Sequence, residues 1–224
     1  MKRLTLSVLA GVLALAAAGP ASAADLPRPA YKAPIYTAPF SWTGFYLGIN
    51  AGYGWGNTEW SNTAGTSGSF RVTGPEVGGT IGYNFQTGVW VWGLEADLDW
   101  ASIRGTSSAG MCGAVFGSCE TRNTWMSTGR GRIGYAFDRW MIYGTGGVAF
   151  GGIKMSTANG FSDTKTKLGW TIGGGVEWAF ANPWSAKLEY LWEDLGTVSC
   201  GSCVPQSNVR FNTSVIRLGV NYRF

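Results

Sequence analysis

The 224-residue chain contains no histidine. That absence removes a Ser–His nucleophile system, the commonest haem ligand and most zinc sites. Charge is also scarce: charged residues are 13% of the chain, about half the usual share of a soluble protein. No basic cluster stands out, so nucleic acid is excluded as a partner. Beyond the N-terminus there is no run of about 20 apolar residues, so no helix of the mature chain is long enough to cross a bilayer. What is abundant is glycine, with 35 residues, and aromatics, at 14%. That balance is too apolar and aromatic for disorder and too glycine-rich for helices.

The start, MKRLTLSVLAGVLALAAAGPASAAD, reads as a signal peptide over residues 1–23. Lys2 and Arg3 precede an apolar stretch too short to span, Gly19 and Pro20 break it, and Ala21 and Ala23 frame a cleavage site. Without Lys2 and Arg3 the 17 basic side chains fall to 15 against 13 acidic ones, so the mature chain is nearly neutral. Residues 24–41 hold four of the eight prolines, which cannot feed a sheet ladder; they read as an extended periplasmic segment. Export implies an oxidising compartment, where Cys112, Cys119, Cys200 and Cys203 are disulfide candidates. Four cysteines allow three connectivities, and pairing within each close pair is the expected one. A redox or zinc role for CGSC has no βα context and no histidine to support it.

From residue 42 onward, short runs alternate between apolar and polar residues. Eight strands are expected, over 43–56, 75–86, 90–101, 123–137, 141–152, 167–180, 184–194 and 211–224. QTGV, DRW and ANP supply tight turns after the even strands; 57–74, 102–122, 153–166 and 195–210 are expected as long loops. That layout predicts an all-β, antiparallel, up-and-down transmembrane barrel with short periplasmic turns and long extracellular loops. Even strands end aromatic-x-aromatic (Tyr83 and Phe85, Tyr135 and Phe137, Trp178 and Phe180, Tyr222 and Phe224), and odd ones begin near Trp42, Trp90, Trp140 and Trp184. These form one expected aromatic girdle; Trp55, Trp100, Trp125, Trp170 and Trp192 form a second.

The faces separate this barrel from a soluble lipocalin-like one, whose inside is apolar and whose outside is polar. One parity carries Phe45, Leu47, Ile49, Leu94, Leu98, Trp170 and Leu188; the other carries Glu76, Glu95, Asp97, Asp99, Arg130, Arg132, Glu177, Lys187, Glu189, Glu193, Arg217 and Arg223. The aromatic parity is expected to face lipid. The charged one is expected to fill a narrow lumen as paired side chains, with Asp97 and Asp99 meeting Arg130 and Arg132 and with glycines such as Gly78 and Gly82 making room. The closing stretch RLGVNYRF follows the same alternation to its last residue.

SWTGFYLGINAGYGWG, YGTGGVAFGG and LGVNYRF resemble the porin-like, opacity-type small outer-membrane β-barrel surface proteins of alphaproteobacteria, over about residues 40–224. The resemblance implies residence in the outer membrane and a structural, surface-antigen role. The tail, through Arg217, Gly219, Tyr222 and Phe224, also resembles the C-terminal signal read by the barrel assembly machinery. Expected partners are therefore outer-membrane lipid, that machinery and an extracellular ligand of the loops; no cofactor is expected. The alternative reading is a small-solute porin, which eight strands disfavour because their interior is only wide enough for side chains. No enzymatic activity is expected.

Overall fold

The computed structural model describes residues 40–224 apart from 64, 111, 161 and 201–206. The signal segment with Ala21 and Ala23, most of 24–41, and Cys203 lie outside the described residues. Eight strands follow one another: β1 (Gly44–Asn62), β2 (Gly65–Thr87), β3 (Trp90–Ser107), β4 (Cys119–Phe137), β5 (Trp140–Thr157), β6 (Ser162–Ala181), β7 (Trp184–Cys200) and β8 (Ser207–Arg223). Each pairs antiparallel with its neighbours and β8 returns to β1, from Tyr46 opposite Arg223 to Ser61 opposite Asn208, which closes the barrel. Closure leaves no open edge, as a sheet in a membrane requires. Tight turns at 88–89, 138–139 and 182–183 join strands at one end. Gly88 and Asp138 take positive φ there, and Asp is one of the few side-chain-bearing residues that tolerate it.

The strands run farther at the other end than their sequence windows. Most of the stretches expected as long loops are hairpin extensions, joined at residues 63–64, 108–118, 158–161 and 201–206. Ser, Thr, Gly and Asn make these stretches look like turns. Their inward positions nonetheless alternate as strands do: Ile153 and Met155, Val198 and Cys200, Val209 and Phe211 are all buried. The windows also end where the pairing shifts by one residue, between Trp100 and Ile103, Asn123 and Trp125, and Asp194 and Gly196. A one-residue slip moves following side chains to the opposite face. On β4 the inward positions are Met126, Thr128 and Arg130 below the shift but Thr121 and Asn123 above it.

The outside carries an apolar band. Phe45, Leu47, Ile49, Tyr53 and Trp55 on β1 are exposed, as are Trp92, Leu94, Leu98 and Trp100 on β3. From Phe45 to Trp55 the strand climbs about 26 Å, taking about 3.4 Å per residue and a tilt of about 40°. That matches an apolar band about 25 Å tall between two aromatic girdles. Aromatic neighbours pack along the lower girdle, with Trp90 against Tyr135, Trp140 stacked on Trp178 and Trp184 against Tyr222. Trp42 does not join it. It precedes β1 in phase with inward Tyr46 and is buried, 1% exposed, with Val91, Ala136, Met141, Tyr143 and Ala179. Its backbone N–H donates to Gln86 Oε1 at 2.7 Å, and Phe40 packs edge-on against its ring. The pair turns back under the barrel and closes the short-turn mouth.

Candidate functional site

Three layers fill the lumen. The first is the Trp42 cluster at the short-turn end. The middle layer is charged and draws side chains from seven strands. Arg130 on β4 pairs with Asp97 at 2.8 Å, with Glu189 at 3.1 Å and also with Glu95. Arg217 on β8 bridges Glu189 at 2.7 Å, Asp97 at 3.0 Å and Asp99 at 3.1 Å, with Glu95 farther off at 4.0 Å. Arg132 pairs with Glu177 at 2.8 Å, and Lys187 with Glu95 at 3.0 Å.

Neutral groups complete the layer. The Tyr46 hydroxyl donates to Glu95 and accepts from Arg132. The Tyr143 hydroxyl donates to Glu189, while the Arg132 guanidinium lies 4.0 Å from the Tyr143 ring centroid. Ser185 and Asn221 both donate to Glu177, and Thr128 to Asp97. The alternation did not single out Tyr46, Tyr143, Ser185 or Asn221 as lumen groups. Their inward parity was the available signal.

The pairing differs from the simple cross-strand expectation. Asp97 meets Arg130, but Asp99 meets Arg217 from across the lumen, and Arg132 reaches Glu177 and Glu95 instead of either aspartate. The lumen is narrow enough that opposite walls are within side-chain reach, so adjacency in the sheet does not decide partners. Glu76 and Glu193 are buried outside this network, without an ion pair among the described residues. Arg223 sits half-buried at the mouth, its guanidinium over Phe40 and Trp42. The glycines do make room, for varied neighbours. A Cβ on Gly82 would strike Tyr46, and one on Gly78 would strike Asp99.

The third layer is apolar and occupies the strand extensions. It contains Trp60, Val72, Ile103, Ile153, Met155, Val198, Val209 and Phe211. The 108–118 connection supplies a stopper to it. Cys112 is disulfide-bonded to Cys119, and the wide turn Cys112–Phe116 buries Phe116 against Trp60, with ring centroids 6.3 Å apart. Trp60 Nε1 donates to Thr121 at 2.9 Å, so the polar atom of this large ring is satisfied. Cys200 is also buried and disulfide-bonded.

This is the arrangement of a filled barrel with a lipid-facing wall. A family model described as outer membrane protein beta-barrel domain matches residues 9–224. The chain belongs to that family. It is 40% identical to the 31 kDa outer-membrane immunogenic protein of Brucella melitensis, over 100% of both chains. It is 32% identical to the 22 kDa outer membrane protein of Rhizobium leguminosarum bv. viciae, over 87% of this chain and 83% of that one. Among solved structures, Neisserial surface protein A overlaps 81% of this chain and 98% of its own at 16% identity, with a TM-score of 0.45. The protein is thus an outer-membrane barrel. Its tight turns and both described chain ends face the periplasm, and the apolar-cored extensions rise above the outer leaflet. Among the described residues no cluster of three or more His, Cys, Asp and Glu is placed to hold a metal ion.

Proposed function

We propose that this barrel is a sealed anchor with a raised display surface: a structural and surface-interaction protein of the outer membrane. The observation that carries the reading is the filling of the lumen at three successive heights. A solute path would have to displace the Trp42 cluster, the ion-pair layer and the Phe116 stopper together. The reading includes no catalytic step, and it is supported by the naming of relatives as outer-membrane immunogenic proteins. The extensions are what the outside would meet, so an extracellular ligand would engage their rims. The tail supports entry through the barrel assembly machinery, because Tyr222 and Phe224 continue the girdle and the Phe224 N–H bonds to Phe45 O at 2.9 Å. Strand addition at an open edge suits such a segment.

The test is single-channel recording of refolded protein in a planar bilayer, with folding checked by heat-dependent gel mobility. The expected record is silent. Discrete, reproducible steps from folded protein would replace this reading with a small-solute porin.

A further inference from the structure

Just above the upper girdle, the outer wall carries a row of cations. Arg104 on β3 lies directly opposite Arg122 on β4, and Arg122 lies directly opposite Lys154 on β5. Arg71 flanks the row on β2, two residues from Thr73, the partner of Arg104. All four are exposed. Like charges directly opposite in an antiparallel pair repel. Among the described residues, none of the four has an ion-pair partner; the outer ion pairs are Lys165 with Asp163 and Arg210 with Asp194. Glu120 is two positions farther up β4. Among the described residues the opposite wall has no such row: the one outward arginine described there, Arg210, has Asp194 at 3.7 Å and Glu59 opposite on β1. A stack of uncompensated cations on one wall is what an external anion would relieve.

The surface below the row says which anion. Trp100 and Trp125 form a direct cross-strand pair a few residues lower, at the height of the outer-leaflet interface. Beneath them the wall hollows. A depression of about 320 Å³ is lined by Leu98, Trp100, Thr124 and Trp125. The next, of about 450 Å³, is lined by Leu47, Gly79, Ala96, Leu98 and Ser127. Leu98 borders both. A Cβ added to Gly79 would find its nearest neighbour 3.7 Å away, so this glycine is not imposed by crowding within the chain. Cations at headgroup height, an indole pair beneath and an apolar hollow at acyl depth repeat the order of groups in an anionic lipid.

We propose that the β2–β5 wall is a binding site for an outer-leaflet lipid with an anionic headgroup. The headgroup lies on Arg104, Arg122 and Lys154, and an acyl chain lies in the hollow around Leu98. The proposal rests on the outer-membrane placement but not on the sealed lumen, so the two can fail separately. The test is native mass spectrometry of the refolded full chain in nonionic detergent with diphosphorylated lipid A as probe. Wild type is expected to retain it. R104Q/R122Q/K154Q is expected to bind it more weakly by about tenfold or more, since each cation near an anionic surface adds to attraction. G79L/A96L, which fills the hollow and leaves the cations, is expected to weaken it several-fold, and R210Q on the opposite wall to leave it unchanged. Equal binding by the triple variant, or equal retention of dephosphorylated lipid A, would overturn the proposal. Displacement by inorganic phosphate at equal molar concentration would also overturn it, by showing an anion site that does not need the lipid.

Discussion

Within the bilayer and above it, the same eight strands are built inside out relative to each other. Between the girdles, Leu94 and Leu98 face outward while Glu95, Asp97 and Asp99 face the lumen. Above the upper girdle, Ile103, Ile153, Val209 and Phe211 face inward while Arg104, Lys154 and Arg210 face outward. Strand pairing is continuous through the boundary, so the backbone does not set the difference; the solvent does. Lipid leaves polar side chains only the lumen, where they must satisfy one another. Water reverses the preference, and the extensions bury an ordinary apolar core. The pairing shifts at Trp100, Trp125 and Asp194 fall near this boundary, where irregularities at barrel rims re-aim side chains.

The largest effect should come from breaking the charged layer. Arg217→Met removes the cation shared by Asp97, Asp99 and Glu189 and leaves three buried carboxylates short of a partner. Removing one partner of a buried pair costs about 3–5 kcal/mol. Denaturant unfolding in lipid vesicles, followed by tryptophan fluorescence, should show a loss of that size. Arg217→Lys should lose less but still fall short of wild type, because an ammonium cannot present the guanidinium fork to three carboxylates. An unchanged midpoint in Arg217→Met would mean that the layer fills space without holding the barrel together.

A pair of variants sharpens the contrast between the two outsides. Leu94→Arg puts a cation on the lipid face near mid-height, where it costs about 2–4 kcal/mol. Ser69→Arg puts the same charge on the exposed outer wall of the β2 extension, opposite Glu59, and should change stability by less than about 0.5 kcal/mol. Equal penalties in the same vesicle unfolding assay would place the membrane boundary elsewhere.

The inversion also explains which parts of the molecule were legible in its sequence. Strand number, closure and the lipid-facing face followed from alternation, because in the membrane band the two faces differ by the whole scale from tryptophan to arginine. The extensions were hidden by turn-like Ser, Thr and Gly, and by phase shifts that interrupt the alternation at Asn123 and Gly196. Trp42 was hidden because an aromatic near a girdle looks the same whether it points out or in; only its phase with Tyr46 distinguishes the two. The pairing of Asp99 with Arg217 and of Arg132 with Glu177 was not legible at all, since each partner comes from a strand not paired with the residue's own.

A smaller loss than that of Leu94→Arg tests whether the upper region is a true core. Ile153 is fully buried among Trp60, Met155 and Leu195. Ile153→Val removes one methylene there, and such a truncation in a packed interior costs about 0.5–1.5 kcal/mol. If the extensions are packed as tightly as the geometry indicates, the loss should appear in vesicle unfolding and also as faster hydrogen exchange confined to 151–157 and its partner strands. The charged layer, separated from it by the pairing shifts, should keep its protection. Exchange that rises equally through β5 down to Tyr143 would show that the two regions unfold as one unit, with the change of solvent leaving no mark on cooperativity.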